Sequence, residues 1–151
     1  MIEAFLVFNY HGKSRIAKFY DNDYTPEEQK AVIKAAYDSI SNRPDTYCNF
    51  VSAEGVPLKG ENLRIVYRRY ATLFVCMIID QCESSLAVLD LIQIFVETLD
   101  KVMENVCELD IVLNTDRVYM VLDELIMGGM VSETSKAGLA EVLKGVHHII
   151  N

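Results

Sequence analysis

Glu108 and Asp110, two carboxylates separated by one residue, form the pair in this 151-residue chain that most invites a chemical reading. Paired carboxylates can serve as general acid and base. Their spacing fits better with polar residues opening a helix, where the dipole favours anions. The histidines offer less. His11 lies in the turn-like Tyr10-His11-Gly12-Lys13, and His147-His148 lie near the end of the sequence. None has metal-ligand spacing to Cys, Asp or Glu, so no metal is expected. Cys48, Cys76, Cys82 and Cys107 form no CxxC pair, and three of them sit in apolar runs. That pattern suits reduced, buried thiols in a cytosolic chain. No GxGxxG, GxxxxGK[ST] or GxSxG occurs. Gly128-Gly129 suits a helix C-terminus better than a phosphate nest. The residue types therefore predict no catalytic residue, no cofactor and no enzyme.

Binding surfaces are better candidates. Arg68-Arg69 follows Tyr67 and precedes Tyr70-Ala71, while Lys13, Arg15 and Lys18 crowd one segment. These islands can be ordinary solvated charge, with stems lying over apolar neighbours. They can also capture acidic groups, for which the arginine fork is suited. The chain as a whole carries a net charge of −8, with 22 acidic against 14 basic residues. Nucleic acid, which needs a basic face, is not an expected partner.

The elements that must position these residues follow from hydrophobic periodicity. Residues 1–9 are apolar at both parities, as in a strand covered on both faces. Gly12 allows a hairpin turn, and Ser14 to Tyr20 returns as a second strand. Thr25-Pro26-Glu27-Glu28 starts a helix with Val32, Ile33, Ala36, Tyr37 and Ile40 on its apolar face, and Arg43-Pro44 stops it. Tyr47 to Val51, Leu63 to Arg69 and Leu73 to Ile79 read as three further strands, with a loop at Glu54 to Glu61 and a tight turn near Tyr70-Ala71. Ser84 or Ser85 caps a long helix that breaks around Cys107-Glu108; Asp110 to Met127 reads as another helix, and a last one, capped by Thr134 or Ser135, runs to about Ile149. Hairpins on both sides of the first helix predict a mostly antiparallel sheet with helices on its two faces, an α+β domain spanning 1–151.

The run Leu86 to Ile111 is apolar around most of a helix. A surface helix needs a stripe only somewhat wider than ~100°, so burial on two sides is expected. A short chain has little left to cover the second side, which points to a partner. Hydrophobic residues make up 51% of the sequence, yet no stretch of eighteen or more lacks a charge, so no membrane span is expected. The opening MIEAFLVFNY has no basic leader or cleavage site, so secretion is not expected either.

Several segments in order carry a family resemblance: MIEAFLVFNYHGKSRIAKFY, NFV at 49–51, IVYRRYATLF at 65–74, FVETLDKVMENVCELDIV at 95–112 and VYMVLDELIMGGMVSET at 118–134. Together they resemble the small (sigma) subunits of clathrin-adaptor-type complexes. DLIQIFVETLDK, RRYATLF, MGGMVSET and the Glu54–Glu61 insertion are most similar to the sigma subunit of adaptor complex three. The long tail of some members of that subtype has no counterpart in this sequence.

The resemblance implies a longin-type fold, with a five-stranded antiparallel sheet between one helix and a helical pair. It implies no catalysis and no cofactor. It implies a cytoplasmic heterotetramer, peripheral on Golgi and endosomal membranes and coated vesicles, in which the chain is cradled by a large subunit beside a second large and a medium subunit. Membrane association would be indirect, through the complex and an Arf-type GTPase. The cargo implied is a membrane-protein tail with an acidic dileucine signal: an acidic residue, three arbitrary residues, then Leu-Leu or Leu-Ile. Residue by residue, the family's leucine pocket falls on Ala71, Leu73, Val96, Asn105, Val106, Leu109 and Ile111, and its contact to the acidic residue falls on Arg15. The competing expectation is a free-standing longin module that regulates SNARE proteins or trafficking GTPases. A longin SNARE should continue into a heptad-bearing segment, which this sequence lacks.

Overall fold

Long apolar runs become strands buried on both faces. In the computed structural model, which describes residues 1–21, 23–44, 49–104, 106–127 and 130–131, β1 is Ile2–Asn9 and β2 is Ser14–Phe19. Helix α1 spans Pro26–Ile40, followed by β3 at Phe50–Ser52, β4 at Arg64–Tyr70 and β5 at Leu73–Ile79. The five strands form one antiparallel sheet in the order β2-β1-β5-β4-β3. Helix α1 therefore carries the chain from one sheet edge to the other, and β4 and β5 return to the middle. The fully apolar β5 lies between two partners and is buried throughout.

Each face has its own core. On one face, Val32, Ala36 and Ile40 of α1 recur every four residues and bury against Leu6, Phe8, Tyr67, Phe74 and Cys76. The helix starts where its sequence dictates: the Thr25 hydroxyl accepts the Glu28 amide at 3.2 Å and Pro26 holds the first helical position. On the other face, Phe5, Val7, Val66, Leu73, Val75 and Met77 meet α2, Ser85–Met103, capped by Ser84. Phe5 and Phe95 pack edge to face with centroids 4.8 Å apart.

Three expectations are corrected here. The long helix ends at Met103 because Glu104 takes a φ of +51° and cannot continue it. The single helix expected over Asp110 to Met127 is two helices, α3 at Glu108–Leu113 and α4 at Thr115–Leu125, separated by Asn114 at φ −124° and ψ 37°. Helix α4 then gives way to a two-stranded ladder, β6 at Ile126–Met127 with β7 at Met130–Val131. Third, the second side of α2 is covered by the chain itself. Val118, Val121, Leu122 and Leu125 of α4 join the α2 side chains in the same core. The apolar surplus surfaces elsewhere, at Leu86, Leu109, Val112, Leu113 and Met120. The last expected helix, Gly128-Gly129, Cys48 and Asn105 lie outside the described residues.

Candidate functional site

Asn9, the last residue of β1, pairs with Leu73, the first of β5. The β1–β2 and β4–β5 turns thus share one end of the sheet. The Tyr10 hydroxyl donates to the Ala71 carbonyl at 2.9 Å across them, and Ala71 holds a φ of +52°. Asn9 organises its own turn. Its Oδ1 accepts the backbone amides of His11 and Lys13, both at 2.9 Å. Its Nδ2 remains to donate to Glu108 Oε1 at 3.0 Å. Arg15 Nε donates to the same oxygen at 2.7 Å. The Arg15 hydrogen bond first, and that of Asn9 second, hold the Glu108 carboxyl below the usual range.

Arg15 reaches Glu108 because the strand is irregular there. Strict alternation predicts Arg15 and Ile16 on opposite faces. Instead Val7 pairs with Ile16 and Phe8 with Ser14, so Arg15 is the extra residue of a β-bulge. A bulge re-aims a side chain. Here it turns Arg15 to the side of the sheet where Ile16 joins the core with Ile111.

Of the two carboxylates first singled out, Asp110 behaves as expected. It accepts the Cys107 amide at 2.9 Å and the Cys107 thiol at 3.2 Å, pinning the start of α3. Glu108 instead faces Arg15 and Asn9. Sequence reasoning missed that role and missed Asn9 altogether. An Asn directly before Tyr-His-Gly, a residue type that bonds its own turn, was the available signal.

The leucine-pocket expectation is partly gathered by the fold. Leu73, Val96, Val106 and Ile111 come together in one cluster between β5, α2 and α3, each no more than 4% exposed. Asp100 sets this geometry, accepting the Tyr70 hydroxyl and the Val106 amide just past the break in α2. Leu109 stands 62% exposed beside Glu108, and Ala71 is exposed on its turn. The buried four belong to the protein's own core, so a ligand side chain reaches them only as neighbours give way. Leu109 and Ala71 are the accessible members.

Three of the other basic residues are engaged internally, while Lys13 is exposed. Arg68 bonds Gln93, Arg69 donates to the Arg43 carbonyl and lies 5.3 Å from the Phe74 ring centre, and Lys18 pairs with Asp123 at 3.0 Å. The Tyr119 hydroxyl of α4 accepts the Ala17 amide at 3.0 Å and donates to its carbonyl at 2.9 Å, closing part of the β2 edge. Burial pushes the Cys76 thiol up and out of reactive range, whereas Cys82 and Cys107 are exposed, which corrects the expectation of buried thiols. Among the described residues no cluster of three or more His, Cys, Asp or Glu could hold a metal ion. No described helix is long and apolar enough to cross a membrane.

Comparison with known proteins agrees with this architecture. The family model for the clathrin adaptor complex small chain matches residues 1–149. The human AP-3 complex subunit sigma-2 is 46% identical over 135 residues, covering 89% of this chain and 69% of the relative. The AP-3 complex subunit sigma of Arabidopsis thaliana is 47% identical over 150 residues, covering 99% and 86%. A chain in a homology model of the full-length AP-3 complex in a stretched open conformation superposes with a TM-score of 0.73 at 36% identity, over 99% of this chain and 93% of that one.

Proposed function

Because this chain belongs to the clathrin adaptor complex small chain family, we propose that it acts without catalysis, as the small subunit of an AP-3-type heterotetramer in vesicle transport. In that assembly a large subunit covers the exposed apolar side chains Val112, Leu113 and Met120 on α3 and α4, leaving Leu109 open. A second large subunit and a medium subunit complete the complex. The complex works in the cytoplasm on Golgi and endosomal membranes, recruited through an Arf-type GTPase. Large hydrophobic side chains left in solvent on two successive helices support a covering subunit, since extended exposed apolar patches are unusual on monomers.

The chain also contributes to recognition of acidic dileucine signals. The observation that carries this reading is a convergence: one cation, Arg15, lies beside exposed Leu109 and next to the apolar cluster of Leu73, Val96, Val106 and Ile111. The signal's leucines take the apolar part and its acidic residue meets Arg15. A half-exposed ion pair contributes about 0–1 kcal/mol, whereas a buried leucine contributes roughly 1.5–3 kcal/mol. The leucines dominate.

Arg15→Ser tests the acidic contact. In the chain co-expressed with its large subunit, it should weaken a dileucine peptide up to about fivefold. The loss should shrink as salt rises, since charges are screened over ~8 Å at physiological ionic strength. A loss that ignores salt, read by calorimetric titration, contradicts the assignment.

A further inference from the structure

We propose that Glu108 occupies the place on Arg15 that the acidic residue of a dileucine signal takes, so that the signal binds by exchanging its carboxylate for that of Glu108. This rests on Arg15 being the contact for that acidic residue. Glu108 has the chemistry of the ligand: a carboxylate, accepting Arg15 Nε at 2.7 Å and Asn9 Nδ2 at 3.0 Å on one oxygen. The two donors come from the β1–β2 unit and converge, which is how a carboxylate is recognised. The pair is reachable from solvent, with side-chain exposures of 22% for Arg15 and 26% for Glu108.

Release of Glu108 leaves the start of α3 intact. That helix is capped by Asp110 through the Cys107 amide and thiol, not by Glu108. Exposed Leu109 follows directly, so the released carboxylate turns into water without unpacking the core. Arg15 and Asn9 are then both free to donate to the incoming carboxylate. A signal that kept Glu108 in place would bring a second carboxylate to one guanidinium, and like charges at that range repel. Glu108 thus sets how much the acidic residue of a signal adds to affinity, and makes this chain tolerant of signals that lack one.

The test uses two dileucine peptides, identical except for Glu or Gln at the acidic position, titrated into the chain co-expressed with its large subunit. With the natural chain the two peptides should differ by less than about twofold, since the Glu peptide must displace Glu108. Glu108→Gln should tighten the Glu peptide about three- to fivefold and leave the Gln peptide nearly unchanged. Glu108→Ala should behave alike, and a single cooperative melt with the large subunit still bound checks the fold in both variants. Weaker binding of the Glu peptide overturns the proposal, because Glu108 would then be orienting Arg15 for the signal. Equal tightening of both peptides overturns it, because Glu108 would then obstruct the leucine path alone. No change in either overturns it too. If the natural complex binds neither peptide, the dileucine reading itself fails and this inference falls with it.

Discussion

On one face of the sheet, α1 presents Val32, Ala36 and Ile40 at a regular interval of four and buries them, and Tyr10, packed against Phe74 at the sheet's end, is the large hydrophobic side chain left exposed there. On the other face the same job is divided among α2, α3 and α4, with breaks at Glu104 and Asn114, and Leu86, Leu109, Val112, Leu113 and Met120 remain in solvent. The first face is held by one uninterrupted, capped helix. The second is held by the long α2 and by two shorter helices after its break, fixed through polar ties: Asp100 to Tyr70 and Val106, Asp110 to Cys107, and Glu108 to Arg15 and Asn9. Polar ties can be exchanged for those of a partner, whereas a packed apolar stripe cannot be opened without a large cost. The broken face is therefore the one on which we propose recognition, with the regular face as its support.

The comparison is broken most severely by Val96→Asp. Val96 is almost fully buried among α2, β5 and α3 neighbours. A charge there costs several kcal/mol to desolvate, so the variant should unfold or lose most of its stability in denaturant titration. Peptide binding and assembly should disappear together. A variant as stable as the natural chain would show that this cluster is open to water.

A smaller effect is expected on the supporting face. Val32→Ala removes buried methyl groups from α1 and should cost about 1–3 kcal/mol by the same titration. Its affinity for a dileucine peptide, measured well below the melting point, should be unchanged. A change in affinity with the fold intact would mean that the two faces are coupled through the sheet.

The smallest effect is that of pH on the tie itself. Arg15 and Asn9 hold the Glu108 carboxyl below its ordinary 4.5, so the folded state binds this proton less readily than the unfolded chain. The resulting stabilisation is fully present above 4.5 and is lost as pH falls through the lowered value. Glu108→Gln should flatten that part of the stability–pH curve, followed by thermal melts between about pH 5 and 3. An identical curve would detach Glu108 from Arg15 in solution.

How far the residues could be read in advance follows the same division. Local signals were legible: Thr25-Pro26 announces α1, the unbroken apolar run announces the buried β5, and the Ser84-Ser85 pair announces α2, with Ser84 as the cap. The sheet with helices on both faces followed from their order. The non-local features were not legible. The bulge at Arg15 depends on how β2 registers against β1, and nothing in Ser-Arg-Ile marks it. The end of α2 falls on Glu104 in a left-handed conformation, where a glycine would have been visible as a stop. The cover over α2 is supplied by α4, so an apolar circumference meant a neighbour within the chain before it meant a partner. Of the site, the identity of the gathered apolar residues came through the family resemblance, while the Glu108–Asn9–Arg15 arrangement needed the fold.

Leu109→Asp tests the central claim most directly, because Leu109 is exposed on the broken face and contributes little to the core. Exposed substitutions of this kind usually change stability by no more than about 0.5 kcal/mol. In calorimetric titration of an acidic dileucine peptide into the chain co-expressed with its large subunit, the natural protein should bind. The variant, with the same melting point and the same large subunit attached, should show no measurable binding. Equal binding by both proteins would contradict the placement of the signal site on this face.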